Sequence, residues 1–399
     1  MQNSKYRKII KRIKIAISYI IGYCIIIPVA FLMPKKKNVV LIPRYGDFEG
    51  NLKYLYLCLN NLKLNGIEVT LLTRKKEVYR QLKESGLKVW LFPGFKTVIR
   101  MLRTGLIVVD SNGWYYDYFY YLLYWAKKVQ VWHGTGIKSI LLLRTENEIE
   151  SKLKNILSRQ NIYYDIVNFT SDYQLETRGK AFRFGESCIN GLPRNDIFFN
   201  DKLWKDSYGK HSFMEKLLQK KERGTKIITY APTWRYELNS FEQFNLAAFN
   251  DYAIRNNLVL LIKLHVKDNY NLSLSEYSNI VDLDKHDDIY PFLVITDLLV
   301  TDYSSIYFDF LLTDRPIVFY PYDRDEYINK QKELLADYDL VTPGPKCYSQ
   351  SELEQVIYEF MVQGYDQYKA NRREIRDKYF YYQDGKSSER LWECIKQLL

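Results

Sequence analysis

From Asn38 onward, short apolar, β-branched runs alternate with amphipathic helical patterns, and no other feature restricts the possible folds as strongly. In the first half the strand-like runs are Val39–Pro43, Ile67–Thr73, Leu87–Phe92, Leu106–Asp110 and Val129–Trp132. A second series comprises Lys226–Tyr230, Leu258–Leu264, Leu298–Val300 and Pro316–Tyr320. Helical patterns such as Asn51–Leu64 and Lys76–Glu84 separate the runs. Strands alternating with helices predict parallel, doubly wound sheets.

The 399 residues exceed one typical core and suffice for two domains. A polar, Lys-rich stretch without a clear strand separates the two series. We therefore predict a basic and apolar membrane-association segment at 1–37, a Rossmann-like domain at 38–200, a linker at 201–224, and a Rossmann-like domain with C-terminal helices at 225–399. The predicted fold class is α/β and GT-B-like: two Rossmann-like domains face a central cleft, and a membrane-associated helix precedes them. Ligands of such sheets bind beyond the carboxyl ends of the strands.

The positive charge is concentrated at the N-terminus. The formal net charge is +11, yet residues 1–37 hold nine Lys or Arg and no Asp or Glu. Without these nine, 49 basic residues face 47 acidic ones. A basic cluster beside apolar sequence predicts attraction to an anionic membrane surface, and we expect no nucleic-acid partner.

The basic cluster flanks Ile15 to Met33, a stretch of 19 residues without a charge. This length would suffice to cross a bilayer. A simple span, however, would place the large domain outside the cell, because the basic residues favour a cytosolic N-terminus. We therefore expect the segment to lie in the interface or to re-enter, broken at Gly22 and Pro28, so that the protein sits on the cytoplasmic face of the membrane. A buried helix of the soluble core is the alternative.

The cysteines are dispersed and contain no CxxC pair: Cys24, Cys58, Cys188, Cys347 and Cys394. An odd, scattered set in a chain of this length predicts reduced thiols and argues against a zinc site. Acidic residues such as Asp110, Asp282 and Asp287 are interpreted as ordinary strand-end and loop acids, so we expect no metal site. No GxxxxGK[ST] loop is present, which excludes a P-loop NTPase.

The first half of the chain contains two motifs: one follows a strand-like run, and the other has the composition of a turn. In Trp132–Lys138 (WHGTGIK), His133 follows a strand and precedes Gly134. An imidazole there can act as a general base, because its ordinary pKa lies near neutrality. A packing or capping histidine is the alternative. In Gly191–Asp196 (GLPRND), Arg194 could bind phosphate, or the segment could be a plain turn.

Three motifs of the second half also follow strands. Tyr230–Arg235 (YAPTWR) could expose backbone and a hydroxyl at a cleft. In Leu261–His265 (LIKLH), the cation and the imidazole share one strand face, which suggests an anionic ligand. In Thr301–Phe310 (TDYSSIYFDF), two serines open a helical pattern and could cradle a phosphate, or Ser304 could be a simple N-cap.

In this order, the five motifs resemble those of the CDP-glycerol glycerophosphotransferase family, which includes teichoic acid primases and polymerases. The resemblance covers roughly residues 38–375 and also includes Asn51–Leu55 (NLKYL) and Asp314–Ile317 (DRPI). It implies transfer of glycerol phosphate from a CDP-activated donor to a hydroxyl, with release of CMP. The N-terminal domain would then hold the acceptor and the C-terminal domain the CDP-alditol.

The resemblance also implies roles for individual residues. His133 would be the catalytic base, and His265 would assist the leaving phosphate. The donor would be contacted by His133, Gly134, Thr135, Gly136, Ile137, Arg194, Pro232, Thr233, Lys263, Leu264, His265, Ser304, Ser305 and Asp309. Lys263 would meet the pyrophosphate, and Asp309 would hold a hydroxyl of the ribose or glycerol. No cofactor is implied beyond the donor substrate CDP-glycerol.

The sequence departs from the family's motifs at two positions, and several alternative functions are considered. The family usually has Pro where Gly136 stands and often where Val266 stands. The large extra N-terminal region of polymerising members is absent, which favours a single addition to a polyprenyl-linked saccharide over polymerisation. Transfer of ribitol phosphate from CDP-ribitol is one alternative reaction. A GT-B glycosyltransferase that uses a sugar nucleotide and a non-catalytic membrane scaffold are the others.

Overall fold

The structure is a computed structural model, and it describes residues 17–62, 64–115, 118–136, 138–143, 162–208, 212–235, 244–265, 274, 276–284, 287–324, 327 and 335–399. Its strands are β1 Lys36–Ile42, β2 Glu68–Thr73, β3 Val89–Leu91, β4 Thr104–Val109, β5 Lys127–Gln130, β6 Tyr163–Phe169, β7 Arg183–Ile189, β8 Lys226–Tyr230, β9 Leu258–Ile262, β10 Ile280–Asp282, β11 Leu298–Thr301 and β12 Ile317–Phe319.

Two parallel sheets organise the described chain. The first has the order β3-β2-β1-β4-β5-β6-β7 and the second the order β10-β9-β8-β11-β12. Every strand pair is parallel. Strands such as Leu258–Ile262 are buried along their whole length, because helices cover both faces of a parallel sheet. The prediction of an α/β fold with doubly wound parallel sheets is confirmed.

The helices are α1 Ile27–Leu32, α2 Gly50–Asn60, α3 Lys76–Glu84, α4 Phe95–Leu102, α5 Phe119–Leu122, α6 Asp172–Arg178, α7 Asp201–Tyr208, α8 Ser212–Glu222, α9 Leu246–Arg255, α10 Tyr290–Ile295, α11 Ile306–Phe310, α12 Tyr338–Val341, α13 Gln350–Met361, α14 Lys369–Tyr379 and α15 Ser387–Ile395. The stretch at 201–224, in which the sequence shows no strand, thus forms α7 and α8. Leu203 packs in one cluster with Tyr54, Ile197 and residues of α10, and Met214 and Leu217 pack against the second sheet. The first lobe is the part of the chain built around the first sheet, and the second lobe is the part built around the second sheet.

Three strands were absent from the sequence-based prediction. The edge strand β7 contains only exposed and half-exposed residues, Gly185 and Glu186 among them, so it has no apolar run. β6 is interrupted by Asp165 and Asn168, and β10 has only three residues. Each gains its place from pairing with a neighbouring strand rather than from a local hydrophobic pattern.

The N-terminal apolar segment is helical across both expected break points. Residues 17–21 are helical, a π-helical turn spans Gly22–Ile26, and α1 follows. A Cβ atom on Gly22 would lie 2.3 Å from the Tyr121 ring, so glycine lets the segment pack closely on the first lobe. The predicted breaks at Gly22 and Pro28 are therefore wrong. Within the described ranges, no helix combines the length and apolarity needed to cross a membrane.

The C-terminus returns to the first lobe. Leu391, Trp392 and Ile395 of α15 pack in one cluster with strand residues of β1 and β4. The structure also pairs Cys188 of β7 with Cys394 of α15, which are 206 positions apart. The prediction of unpaired thiols is therefore wrong for these two cysteines, because only the fold brings the last helix to the edge of the first sheet.

Candidate active site

A cavity of about 260 Å³ lies where the carboxyl ends of the two sheets meet. Seven of the predicted site residues line it: His133, Arg194, Pro232, Lys263, Leu264, His265 and Ser304. An adjoining cavity of about 140 Å³ is lined by His133 together with Gly134, Thr135, Gly136 and Ser305. The histidines of the two lobes thus border one crevice. Ile137 and Val266 lie outside the described residues.

His133 follows β5 and is held in a form suited to a general base. Its Nδ1 lies 3.2 Å from the carbonyl oxygen of Asp110. Since a carbonyl only accepts, Nδ1 carries the proton and Nε2 remains a proton acceptor. Burial, followed by the positive charge of Arg44, holds the pKa of His133 well below its ordinary value. The ring is therefore neutral at physiological pH.

The backbone before His133 is strained. Trp132 has a φ of +55°, a left-handed conformation that non-glycine residues seldom adopt and that costs about 1–3 kcal/mol. Two hydrogen bonds hold it: the Trp132 N–H donates to Gln130 Oε1 at 2.8 Å, and Asn51 Nδ2 donates to the Trp132 carbonyl at 2.7 Å. Asn51 Oδ1 accepts from the Arg194 N–H at 3.3 Å. One asparagine side chain therefore fixes the backbones of two site segments.

We expect Asn51→Ala to lower both stability and activity. The substitution leaves the Trp132 carbonyl and the Arg194 N–H without partners, which costs about 1–3 kcal/mol of unfolding free energy. The matched control is Asn61→Ala at the end of the same helix, because the Asn61 side chain is exposed and donates to the Leu57 carbonyl, one turn earlier in the helix. Urea unfolding and CMP release measure the two effects. Equal behaviour of both variants would show that Asn51 does not position the site.

Glycines allow the His133 loop to approach the second lobe. A Cβ atom on Gly134 would lie 3.1 Å from Arg194 Nη2 and 3.4 Å from Ser305 Oγ. A Cβ atom on Gly136 would lie 3.4 Å from Ser305 Cβ. The loop that carries the first histidine therefore contacts the turn that opens α11.

Arg194 and Asp309 form a buried ion pair between the lobes. Arg194 Nη2 donates to Asp309 Oδ2 at 2.5 Å, and Nη1 donates to the His133 carbonyl at 2.5 Å. Tyr290 donates its hydroxyl to the same Asp309 oxygen at 2.8 Å. The two residues that the resemblance implies as separate donor contacts thus bind each other, with Asp309 fully buried.

A second buried contact also joins the lobes at this cavity. Lys53 Nζ and the Tyr54 hydroxyl both donate to Asp288 Oδ2 at 2.8 Å. Lys53 and Asp288 are each less than a tenth exposed. Both residues of α2 belong to the NLKYL segment. The segment therefore has a structural role: Asn51 holds the strand end before His133, and Lys53 binds the second lobe.

The second lobe presents its polar groups after β8, β9 and β11. Lys263 Nζ donates to the Asp284 carbonyl at 2.5 Å, and burial lowers the pKa of Lys263. Thr233 donates its N–H and its hydroxyl to Asp302, whose carboxylate also pairs with Arg235 at 2.6 Å. Pro232 faces the cavity, whereas the Thr233 side chain is engaged in holding the turn.

Arg44, Glu49 and Asp110 are among the cavity residues to which the sequence assigned no catalytic or binding role. Burial raises the pKa of Asp110 to about 7, and burial with the charges of Asp288 and Asp47 raises that of Glu49 to about 7. The signal available in the sequence was the position of Asp110 directly after a strand. Among the described residues, no group of three His, Cys, Asp or Glu side chains could hold a metal ion.

Comparisons with solved structures show the fold. The wall teichoic acid polymerase TagF superposes with a TM-score of 0.71 at 20% identity, over 100% of this chain and 98% of that chain. Staphylococcus aureus MnaA, solved with UDP, superposes with a TM-score of 0.52 at 14% identity, over 91% and 98% of the two chains. These likenesses show that the chain shares its overall α/β fold with both proteins.

Relatives found by sequence share more identical residues with this chain than those solved structures do. The teichoic acid poly(glycerol phosphate) polymerase of Bacillus spizizenii is 30% identical over 285 residues, 66% of this chain and 68% of the relative. The teichoic acid glycerol-phosphate primase of Bacillus subtilis is 27% identical over 317 residues, 76% of each chain. The ribitol-phosphate polymerase TarL of Staphylococcus aureus is 24% identical over 386 residues, 90% of this chain and 63% of the relative.

The family described as CDP-Glycerol:Poly(glycerophosphate) glycerophosphotransferase matches residues 25–397. The resemblance inferred from the motifs is confirmed, and with it the prediction of a phosphotransferase that takes CDP-glycerol as its donor. The chain belongs to the CDP-glycerol:poly(glycerophosphate) glycerophosphotransferase family.

Proposed function

We propose that the chain transfers glycerol phosphate from CDP-glycerol to a hydroxyl of a lipid-linked saccharide or polymer in teichoic acid synthesis, releasing CMP. The observation that carries the proposal is the single crevice bordered by His133, His265, Lys263 and Ser304. Family membership supplies the reaction class, and the cavity supplies a base, a cation and hydroxyl groups at the position where the two sheets meet.

In the proposed mechanism, the acceptor hydroxyl gives its proton to His133 Nε2, and its oxygen attacks the glycerol-bearing phosphorus of the donor. The new oxygen–phosphorus bond forms as the bond to the CMP phosphate breaks, and CMP leaves with the electron pair. Lys263, His265 and the hydroxyls of Ser304 and Ser305 offset the developing negative charge. In-line positioning and charge stabilisation provide most of the catalysis in phosphoryl transfer.

The remaining predicted contacts receive two kinds of role. We assign Gly134, Thr135, Gly136, Pro232 and Leu264 to the walls of the donor pocket, with Ile137 beside them in sequence. Arg194, Asp309 and Thr233 instead hold the pocket together, because Arg194 Nη1 and Nη2, Asp309 Oδ2 and the Thr233 hydroxyl already bind protein groups. The lobes are assigned as 38–200 for the acceptor and 225–399 for the donor, with α15 packed on the first lobe.

Release of CMP tests the proposal. Purified protein is incubated with radiolabelled CDP-glycerol and a polyprenyl-pyrophosphate disaccharide, and both CMP and the product mass are measured. CDP-ribitol forms a second arm, because relatives that include TarL are named ribitol-phosphate polymerases. UDP-sugars form a third. Absence of CMP release with either CDP-alditol, together with turnover of a UDP-sugar, would replace the proposal with a glycosyltransferase.

We also propose that the protein binds the cytoplasmic face of the membrane through its N-terminal helical segment. Large apolar side chains of this segment are exposed: Ile17, Ile20, Tyr23, Ile25, Val29, Phe31 and Leu32. Phe31 packs against the exposed Trp125, with ring centroids 5.1 Å apart. Aromatic and aliphatic side chains beside basic residues suit an interfacial helix on anionic lipid.

Leu32→Ser is expected to weaken binding to anionic vesicles about tenfold or more, since burial of one leucine contributes about 1.5–3 kcal/mol. Leu340→Ser is the matched control, because Leu32 is 79% exposed and Leu340, in the second lobe, is 74% exposed. Sedimentation with phosphatidylglycerol vesicles measures both. Equal loss of binding in the two variants would exclude the N-terminal segment as the contact surface.

A further inference from the structure

Each sheet has one position where the strand order reverses, and both positions open into the same cavity. In the second sheet this position lies between β8 and β11, and the adjacent loops carry Pro232 and Ser304. In the first sheet it lies between β1 and β4, and the adjacent loops carry Glu49 and Asp110. Such positions are the usual ligand sites of open α/β sheets. The proposed donor contacts leave the position between β1 and β4 of the first sheet without a ligand.

Two carboxyl groups at this position of the first sheet keep hydrogen-bonding capacity that the described residues do not use. Asp110 is only 5% exposed, lines the cavity, and its Oδ1 has no hydrogen-bond partner. A buried acceptor without a partner in the protein can accept a hydrogen bond from a ligand in the cavity. Glu49 occupies the N-cap position of α2 but makes no side-chain hydrogen bond to that helix, and it too lines the cavity.

The neighbours of these carboxyl groups indicate which substrate they would meet. Asp110 follows β4 and its carbonyl binds the ring of His133, so the carboxyl group stands beside the proposed base. Arg44, exposed at the same cavity, stacks over Tyr45 at 4.7 Å. A polyol offers hydroxyl donors to carboxyl oxygens, and a neighbouring phosphodiester would suit a guanidinium.

We propose that Asp110 and Glu49 bind the hydroxyl groups of the acceptor's terminal polyol, and that Arg44 meets the phosphodiester or pyrophosphate behind it. This subsite rests on the proposed function and names its second substrate. The raised pKa of both carboxyl groups, about 7, reduces the negative charge that an anionic acceptor encounters. The acceptor hydroxyl then approaches Nε2 of His133 from the first lobe, and the donor approaches from the second.

The experiment compares Asp110→Asn and Glu49→Gln with the wild type. We expect the KM for the acceptor to rise about tenfold to a hundredfold in each variant, while the Kd for CDP-glycerol, measured calorimetrically, changes less than about twofold. Short-chain prenyl-pyrophosphate disaccharides with and without one glycerol phosphate unit are the acceptor probes, and they distinguish a glycerol end from a sugar end. Glu68→Gln is the control, because Glu68 is exposed at the amino end of β2.

Two further readouts separate this inference from alternatives. Because Oδ1 of Asp110 has no partner, Asp110→Asn should leave the melting temperature unchanged or raise it, whereas a purely structural carboxylate would lower it. Binding of the acceptor can also be measured by calorimetry, and this measurement does not require turnover. Acceptor binding that Asp110→Asn abolishes supports the subsite, even if no CMP forms and the proposed reaction fails. An unchanged acceptor KM in both variants, or a parallel loss of donor affinity, would overturn the subsite.

Discussion

Replacing His133 with alanine should reduce glycerol phosphate transfer by about 10²–10⁴-fold, while the Kd for CDP-glycerol changes little. The neutral ring has its Nδ1 proton bound by the Asp110 carbonyl, which leaves Nε2 to accept the hydroxyl proton. Loss of this proton acceptor slows only the step in which the acceptor hydroxyl becomes a nucleophile. Single-turnover CMP release, with donor affinity measured separately, distinguishes this result from loss of binding.

The pH profile provides a second check on His133. Its pKa in the folded protein is lowered well below 6.5, so the base form persists through pH 6.5. Titration of His133 should therefore leave the transfer rate unchanged above pH 6.5. The rate should fall only as the pH drops through the lowered pKa of His133. His211→Ala, which changes a histidine outside every motif, is the control. Transfer by His133→Ala within about twofold of wild type would remove this residue from the mechanism.

Asp309→Asn should lower the unfolding free energy by about 3–5 kcal/mol, the usual cost of leaving one member of a buried ion pair uncompensated. Asp309 is completely buried, and Arg194, its partner at 2.5 Å, is 8% exposed. Asparagine keeps the shape and the hydrogen bond from Tyr290 but removes the charge. Because Arg194 also binds the His133 carbonyl, the transfer rate should fall as well.

Urea unfolding measures this effect against an exposed pair in the same chain. Lys202 and Asp206 pair at 2.6 Å on the surface of α7, and exposed pairs contribute about 0–1 kcal/mol. Asp206→Asn is therefore the control. The double variant Arg194→Met with Asp309→Leu should recover part of the lost stability, since a buried pair can be replaced by apolar groups. A loss below about 1 kcal/mol in Asp309→Asn would show that the pair does not hold the lobes together.

The first feature that the sequence made accessible is the sheet architecture. Nine strands were predicted near their observed positions because buried parallel strands are continuous apolar runs. The site followed from the same logic. Within one sheet, parallel strands end at the same edge, so the motifs that follow β9 and β11 were expected together at one edge of the second sheet and His133, after β5, at the matching edge of the first. The packing of the two sheets then brings His133, His265 and Ser304 to one cavity.

What the sequence could not supply depends on contacts between distant residues. Arg194 and Asp309 are 115 positions apart, and nothing local distinguishes a phosphate-binding arginine from one that pairs with a buried carboxylate. The role of Asn51 is likewise invisible without the left-handed backbone of Trp132, which lies 81 positions away.

Local sequence determined the strands, the helices and the edge at which the reactive side chains gather, because hydrophobic periodicity and strand direction are properties of short segments. The packing of two lobes decided which of those side chains are free for a substrate and which are bound to protein groups. That choice depends on burial and on the nearest opposite charge or hydrogen-bond partner, and these are set by folding alone.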